Sequence, residues 1–110
     1  MNVCLLSGRI VKHATVKHTE PTTLIFILET RYGYSESEKK ERVAFVPCVL
    51  FNPSAEVEQV LTTKGEGLAV ELEGRISGPS PEANGGRRFG TEVIVRTKSL
   101  TILGPAPAAA

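Results

Sequence analysis

The sequence predicts an all-β protein, a five-stranded barrel with one short α-helix between the third and fourth strands. Three observations predict it. Residues 42–51, Arg-Val-Ala-Phe-Val-Pro-Cys-Val-Leu-Phe, are rich in β-branched and aromatic side chains, the composition of a strand. Further apolar runs of strand length are separated by turn signals, among them Glu20-Pro21-Thr22-Thr23 and a Gly/Pro-rich segment at 78–90. One stretch alone, after Asn52-Pro53, repeats its apolar residues at helical spacing.

Taken in order, residues 2–17 form the first strand. Val3 to Leu6 are apolar, Gly8 interrupts, and Ile10 and Val11 resume. A glycine inside a strand suggests a bulge or a sharp bend, as in a small curled barrel. Residues 24–32 form the second strand. Its first half is apolar on both faces and therefore central and covered on both sides. Its second half turns polar and ends in Tyr32-Gly33-Tyr34. Residues 35–42, Ser-Glu-Ser-Glu-Lys-Lys-Glu-Arg, contain no apolar side chain and are expected to form an exposed, mobile hairpin loop.

The third strand is 42–51. Alternation puts Val43, Phe45, Pro47, Val49 and Phe51 on one face and Ala44, Val46, Cys48 and Leu50 on the other. The second set is small and aliphatic and suits a core. The two phenyl rings of the first set either offer flat surfaces to nucleic-acid bases or lie buried in the core or an interface. In the helix, Asn52 is the expected N-cap with Pro53 at the first helical position. Glu56 and Glu58 suit the N-terminal dipole, and Val57, Val60 and Leu61 share a face. Lys64 and Gly65 end it. The fourth strand, 68–77, turns Leu68, Val70 and Leu72 inward and Glu71 and Glu73 outward. Residues 78–90 are a long hairpin loop with Arg87, Arg88 and Phe89 near its end. The fifth strand, 91–103, has Val93, Val95, Leu100 and Ile102 as apolar positions. Residues 104–110 are expected to be a disordered Pro/Ala tail, leaving one domain at 1–103. This element order is that of an OB-fold barrel.

Composition narrows the function. The 110 residues suffice for one domain, and 41% apolar content suffices for its core. A net charge of +1 means that any case for nucleic acid rests on where the charges sit. No apolar run approaches the ~20 residues of a membrane span, and the first residues lack the basic and apolar regions of a secretory leader. A cytoplasmic protein is expected, with Cys4 and Cys48 reduced and packed as small core residues. His13 and His18, without a third ligand nearby, read as solvated loop histidines rather than a metal site. No triad, metal cluster, phosphate loop or carboxylate pair is visible, so neither catalysis nor a cofactor is expected.

Several segments stand in order: Leu5-Leu6-Ser7-Gly8-Arg9-Ile10 with Val16-Lys17, then Phe26-Ile-Leu-Glu-Thr-Arg31, then Phe45 to Leu50-Phe51. Leu61, Lys64-Gly65, Leu72-Glu-Gly-Arg-Ile76 and Arg88-Phe89-Gly90-Thr-Glu-Val93 follow. Together they resemble the bacterial single-stranded DNA-binding protein family, which has the primosomal replication protein B group as a relative. The resemblance covers residues 2–103 and implies sequence-independent binding of single-stranded DNA in replication, recombination or repair. It implies that Tyr34, Phe45 and Phe51 are base-stacking positions, and Phe89 falls at a further aromatic position. Phosphate contacts are expected from Arg9, Lys12, Lys17, Arg31, Lys39, Lys40, Arg42, Arg75, Arg87 and Arg88. A homo-oligomer is expected, a tetramer or else a dimer, acting in the nucleoid with replication or restart proteins as further partners. The chain departs from the family in having no Trp, no loop aromatic near Pro81, and Pro105-Ala-Pro-Ala-Ala-Ala where the family has an acidic tail ending in Phe. The alternative is a primosome or mobile-element accessory module that acts mainly through protein–protein contacts.

Overall fold

The longest pairing in the molecule is an antiparallel hairpin of β3 (Thr23–Ser35) and β4 (Lys40–Phe51). The computed structural model of the chain describes residues 1–78 and 90–105. Alternation decides what the hairpin buries. Leu24, Phe26 and Leu28 on β3 stand opposite Leu50, Cys48 and Val46 on β4. The first three, with Cys48 and Leu50, are buried in the core, and Val46 packs against it. The other face of β3 is less covered than its apolar sequence suggests. Ile25 is half-buried and Ile27 is exposed.

The remaining strands close this hairpin into a barrel. β5 (Leu68–Ser77) sends Val70 and Leu72 into the core, and β6 (Glu92–Val95) sends Val93 and Val95. β6 runs parallel to β4 and antiparallel to β5. β1 (Cys4–Ile10) pairs with β5 from Cys4 to Arg9 and then with β3 through Arg9 and Ile10. The cycle β1–β3–β4–β6–β5–β1 is a closed five-stranded barrel, the OB-fold. Two short strands extend it. β2 (Thr15–Lys17) adds to β3, and β7 (Thr101–Pro105) adds to β5 beyond the end of β6. Gly8 sits where β1 leaves β5 for β3. A Cβ there would overlap the carbonyl oxygen of Glu29, so the crossing needs a residue without a side chain.

The helix α1 (Ala55–Lys64) follows β4 and buries Leu61, with Val57 packed on the core. The Leu61 carbonyl accepts from the Ala14 amide at 2.8 Å, and the Ile10 carbonyl accepts from the Gly67 amide at 2.8 Å. The helix is thereby tied to the β1–β2 connection. Its N-cap is Ser54, whose hydroxyl accepts from the Val57 amide at 3.2 Å, and not Asn52. Asn52 instead turns the chain out of β4 in the left-handed region at φ 50°, where Asn is tolerated. Pro53 therefore precedes the helix.

Four further sequence expectations are revised. The first strand is two, because Ala14 donates to the helix and is buried there instead of continuing a ladder. The fifth strand is also two, separated by a 3-10 turn at Thr97–Ser99. The Ser99 hydroxyl accepts from the Glu73 amide at 3.0 Å and has the carbonyls of Arg96, at 2.7 Å, and Glu73, at 3.0 Å, within reach of its one hydrogen, which fixes the break. The charged hairpin segment is mostly strand, since Tyr34 pairs with Glu41 and Ser35 with Lys40, leaving a turn at 36–39. Gly104 and Pro105, read as tail, pair with Ala69 and Leu68, and residues 106–110 lie outside the described residues.

Candidate nucleic-acid interface

Directly opposed residues of a sheet share a face, so the register maps the outside of the barrel row by row. On β4 the outward residues are Glu41, Val43, Phe45, Pro47, Val49 and Phe51. The partners recorded on the neighbouring strands complete each row. Lys17, Thr23 and Phe51 form one. Thr15, Ile25, Val49, Ile94 and Arg75 form the next, and Ile27 with Pro47 the third. Arg9, Glu29 and Phe45 follow, then Arg31 with Val43, then Tyr34 with Glu41.

Three aromatic side chains therefore stand on one outer face. Phe45 is 59% exposed, Phe51 36% and Tyr34 58%. Phe45 and Phe51 are six residues apart on one strand, roughly 20 Å along it, and Tyr34 lies about 13 Å beyond Phe45. Between the two phenyls runs a floor of half-buried and buried apolar groups, Pro47, Val49, Ile25 and Ile94, with the exposed Ile27 beside it. Neither phenyl belongs to the core, which rejects burial in this chain as their role. The Phe51 end is held by the Thr97 hydroxyl, which donates to the Phe51 carbonyl at 2.9 Å.

Pro47 interrupts the middle of β4 at little cost. The Ile27 carbonyl accepts from the Val11 amide at 3.0 Å, so the polar groups of Ile27 point away from β4. The Pro47–Ile27 pair exchanges no hydrogen bonds, and the missing amide of Pro47 falls on the side of β6, just before the β4–β6 pairing starts at Cys48 and Val93.

The cations divide between faces. Arg9, Lys17, Arg31 and Arg75 share the aromatic face. Two of them carry a carboxylate partner on the same face. Arg9 Nη2 is 2.8 Å from Glu29 Oε2, and Arg31 Nε is 3.0 Å from Glu41 Oε2. Among the described residues, Lys17 and Arg75 have no such partner. Arg42 and Lys40 pair with Gly33 and Ser35 and so point to the opposite side of the hairpin. Lys39 occupies the turn at φ 52°, and Lys12 lies exposed between β1 and β2. Arg87, Arg88 and Phe89 lie outside the described residues.

Sequence reading missed Tyr32 as a structural feature. The β3–β4 ladder shifts between Arg31 and Gly33, so Tyr32 is a bulge residue without a partner. The glycine following it in a strand was the available signal. The histidines lie apart from the aromatic face. His13 Nδ1 accepts from the Glu66 amide at 3.2 Å, and His18 Nε2 is 3.3 Å from Glu58 Oε2. Cys48 lies beneath the face, facing the core. Burial, with Cys4 nearby adding to it, pushes its thiol from 9.0 up to about 12, so it is a packed apolar group and not a nucleophile.

Comparisons with known proteins bear on the fold and the family. No curated protein matches the sequence. The fold is similar to that of a chain in a Plasmodium falciparum SSB complex with ssDNA, with a TM-score of 0.69 and 17% identity over 94% of both chains. It is also similar to the dimeric N-terminal domain of PriB protein from Thermoanaerobacter tencongensis, with a TM-score of 0.61 and 19% identity over 93% of this chain and 96% of that one. A family model described as the single-strand binding protein family matches residues 1–101, and the chain belongs to that family.

Proposed function

We propose that the chain binds single-stranded DNA without reading its sequence, along the outer face of β3 and β4. The observation that carries this reading is the row of Tyr34, Phe45 and Phe51, three exposed aromatic rings on one face of an OB barrel. Exposed aromatic surface gains nothing for the fold, whereas every base has a face that can stack on it. Arg9, Lys17, Arg31 and Arg75 flank the row and would meet the phosphates. The Plasmodium falciparum relative carries single-stranded DNA on the same fold. Binding of this kind requires no catalytic step. Among the described residues no helix is long and apolar enough to cross a membrane, and a cytoplasmic, nucleoid-associated protein fits the reading.

The working form is a homo-oligomer, a tetramer or else a dimer. Val3 just before β1, Leu5 on β1 and Leu103 on β7 are exposed, Leu5 at 77%. These are apolar side chains that a second copy of the chain would cover. The PriB relative is dimeric.

The test is a titration of labelled oligo-dT of several lengths, at low and high salt, with duplex DNA of equal length as competitor. Binding to oligo-dT that duplex competes poorly is expected. If oligo-dT fails to bind at low salt, the reading is wrong and a protein-interaction module becomes the better account. A monomer mass by light scattering at micromolar concentration would refute the oligomer.

A further inference from the structure

Side chains alternate strictly along a regular strand, and the β3–β4 hairpin breaks that rule once. Glu29 and Arg31 stand opposite Phe45 and Val43 on the aromatic face. Regular pairing from there would set Tyr32 opposite Arg42, Gly33 opposite Glu41 and Tyr34 opposite Lys40, on the far side. The ladder instead skips Tyr32, so that Gly33 faces Arg42 and Tyr34 faces Glu41. Two contacts agree with this phase. Arg31 reaches Glu41 at 3.0 Å, a diagonal pair that requires both on one face. Ser35, opposite Lys40 on the other face, is buried at 3% exposure. Nothing lies within 4 Å of where a Gly33 side chain would be, so crowding at Gly33 does not force the bulge.

We propose that the unpaired residue Tyr32 is a phase-setting device: by dropping out of the ladder it turns Tyr34 onto the face of Phe45 and Phe51 and so lengthens the stacking row to the hairpin tip. The proposal rests on the single-stranded DNA reading. Tyr32 is a positioning residue here, and Tyr34 is the ring that meets the base. Without the bulge, β3 would present glycine to the strand and hide the tyrosine behind the hairpin.

The sequence supplies its own probe. Tyr32 and Tyr34 are the two tyrosines of the chain and there is no Trp, so tyrosine emission reports on this hairpin alone. Two length variants separate phase from bulk. A threonine inserted between Arg42 and Val43 gives Tyr32 a partner, regularises the ladder and sends Tyr34 to the opposite face. Deletion of Tyr32 also regularises the ladder but keeps Tyr34 opposite Glu41. The insertion is expected to weaken oligo-dT binding as much as Tyr34→Ala, about fivefold or more, and to abolish quenching of tyrosine emission by DNA. The deletion is expected to stay within about threefold of the parent, with its single remaining tyrosine still quenched. An insertion variant that folds and binds like the parent overturns the proposal. So does a folded deletion variant as weak as the same deletion with Tyr34→Ala, and this second comparison decides the matter if the insertion does not fold. Failure of the DNA reading itself is seen separately, in a parent chain that does not bind oligo-dT.

Discussion

Phe45→Ala is the substitution that most cleanly divides ring from charge. Phe45 is 59% exposed, so about two-fifths of its side chain is already out of water in the free protein. Burying a whole phenyl is worth ~1.5–3 kcal/mol, so its loss here costs the fold roughly 1 kcal/mol. A domain of this size would lose about 4–8 °C in Tm and remain folded at room temperature. Stacking of one base on an aromatic ring is worth about 1–3 kcal/mol, or roughly fivefold to 150-fold in affinity. The effect on binding thus exceeds the effect on folding and acts on a different measurement. The assay is anisotropy of labelled oligo-dT across a salt series, with thermal unfolding run beside it. Stacking releases no counterions, so the slope of log K against log salt should match the parent's while the whole line drops. A folded Phe45→Ala chain that binds as tightly as the parent would refute the stacking row. A variant that loses affinity only by flattening the slope would show that Phe45 acts by holding Arg9 and Glu29 in place.

Three further outcomes follow from the structure. Glu29→Gln and Glu41→Gln together should free Arg9 and Arg31 for phosphates, tightening binding at low salt and steepening the salt slope by up to about 1.4 units, at about 0.7 per single-strand phosphate contact; an unchanged slope in a salt series would show that neither carboxylate withholds its arginine from the phosphates. Ser54→Ala should cost ~1 kcal/mol in chemical unfolding by leaving the Val57 amide uncapped, whereas Asn52→Ala should leave the cap hydrogen bond intact, a distinction seen in exchange at the Val57 amide. The folded chain holds the Cys48 proton up to about 12 while the unfolded chain releases it above 9.0, so stability should be full below pH 9 and fall as pH rises through that window, by at most about 1.4 kcal/mol per unit; Cys48→Ala, although less stable throughout, should show a shallower decline in a Tm–pH series.

The barrel was readable from the sequence because strand alternation and turn signals are local. The two faces of residues 42–51 were assigned by counting alone, and the exposed Phe45 and Phe51 and the buried Cys48 and Leu50 lie where counting put them. What counting does not see is where a partner strand ends. β1 and β2 read as one strand because the break at Ala14 depends on the helix carbonyl of Leu61, which is distant in sequence. β6 and β7 read as one because the break depends on Ser99 finding the carbonyl of Glu73. The Asn52 cap was a choice between two good N-cap residues two positions apart, decided by how β4 exits the sheet. For the candidate site, the rings could be named from the sequence but the cations could not be sorted. Arg42 and Arg31 look equivalent in the sequence, and only the register separates them, one on each side of the hairpin.

That sorting changes how the interface should work. A strand of DNA laid along the aromatic face meets Arg9 and Arg31 already engaged with Glu29 and Glu41. The Arg31–Glu41 pair is exposed, at 70% and 47%, so it contributes little to the fold and its charges stay available, whereas the Arg9–Glu29 pair is half-buried, at 39% and 23%, and holds its arginine more closely. A phosphate that displaces the carboxylate gains an arginine but leaves an anion beside it. The net gain is smaller than the same arginine would give alone, and it shrinks further as salt screens it. With a net charge of +1 on the whole chain, little long-range attraction makes up the difference. The rings carry no such penalty, since a base replaces only water on them. Affinity in this chain should therefore rest more on Tyr34, Phe45 and Phe51 than on its arginines, and oligo-dT should dissociate with a shallower salt dependence than the count of cations on that face suggests.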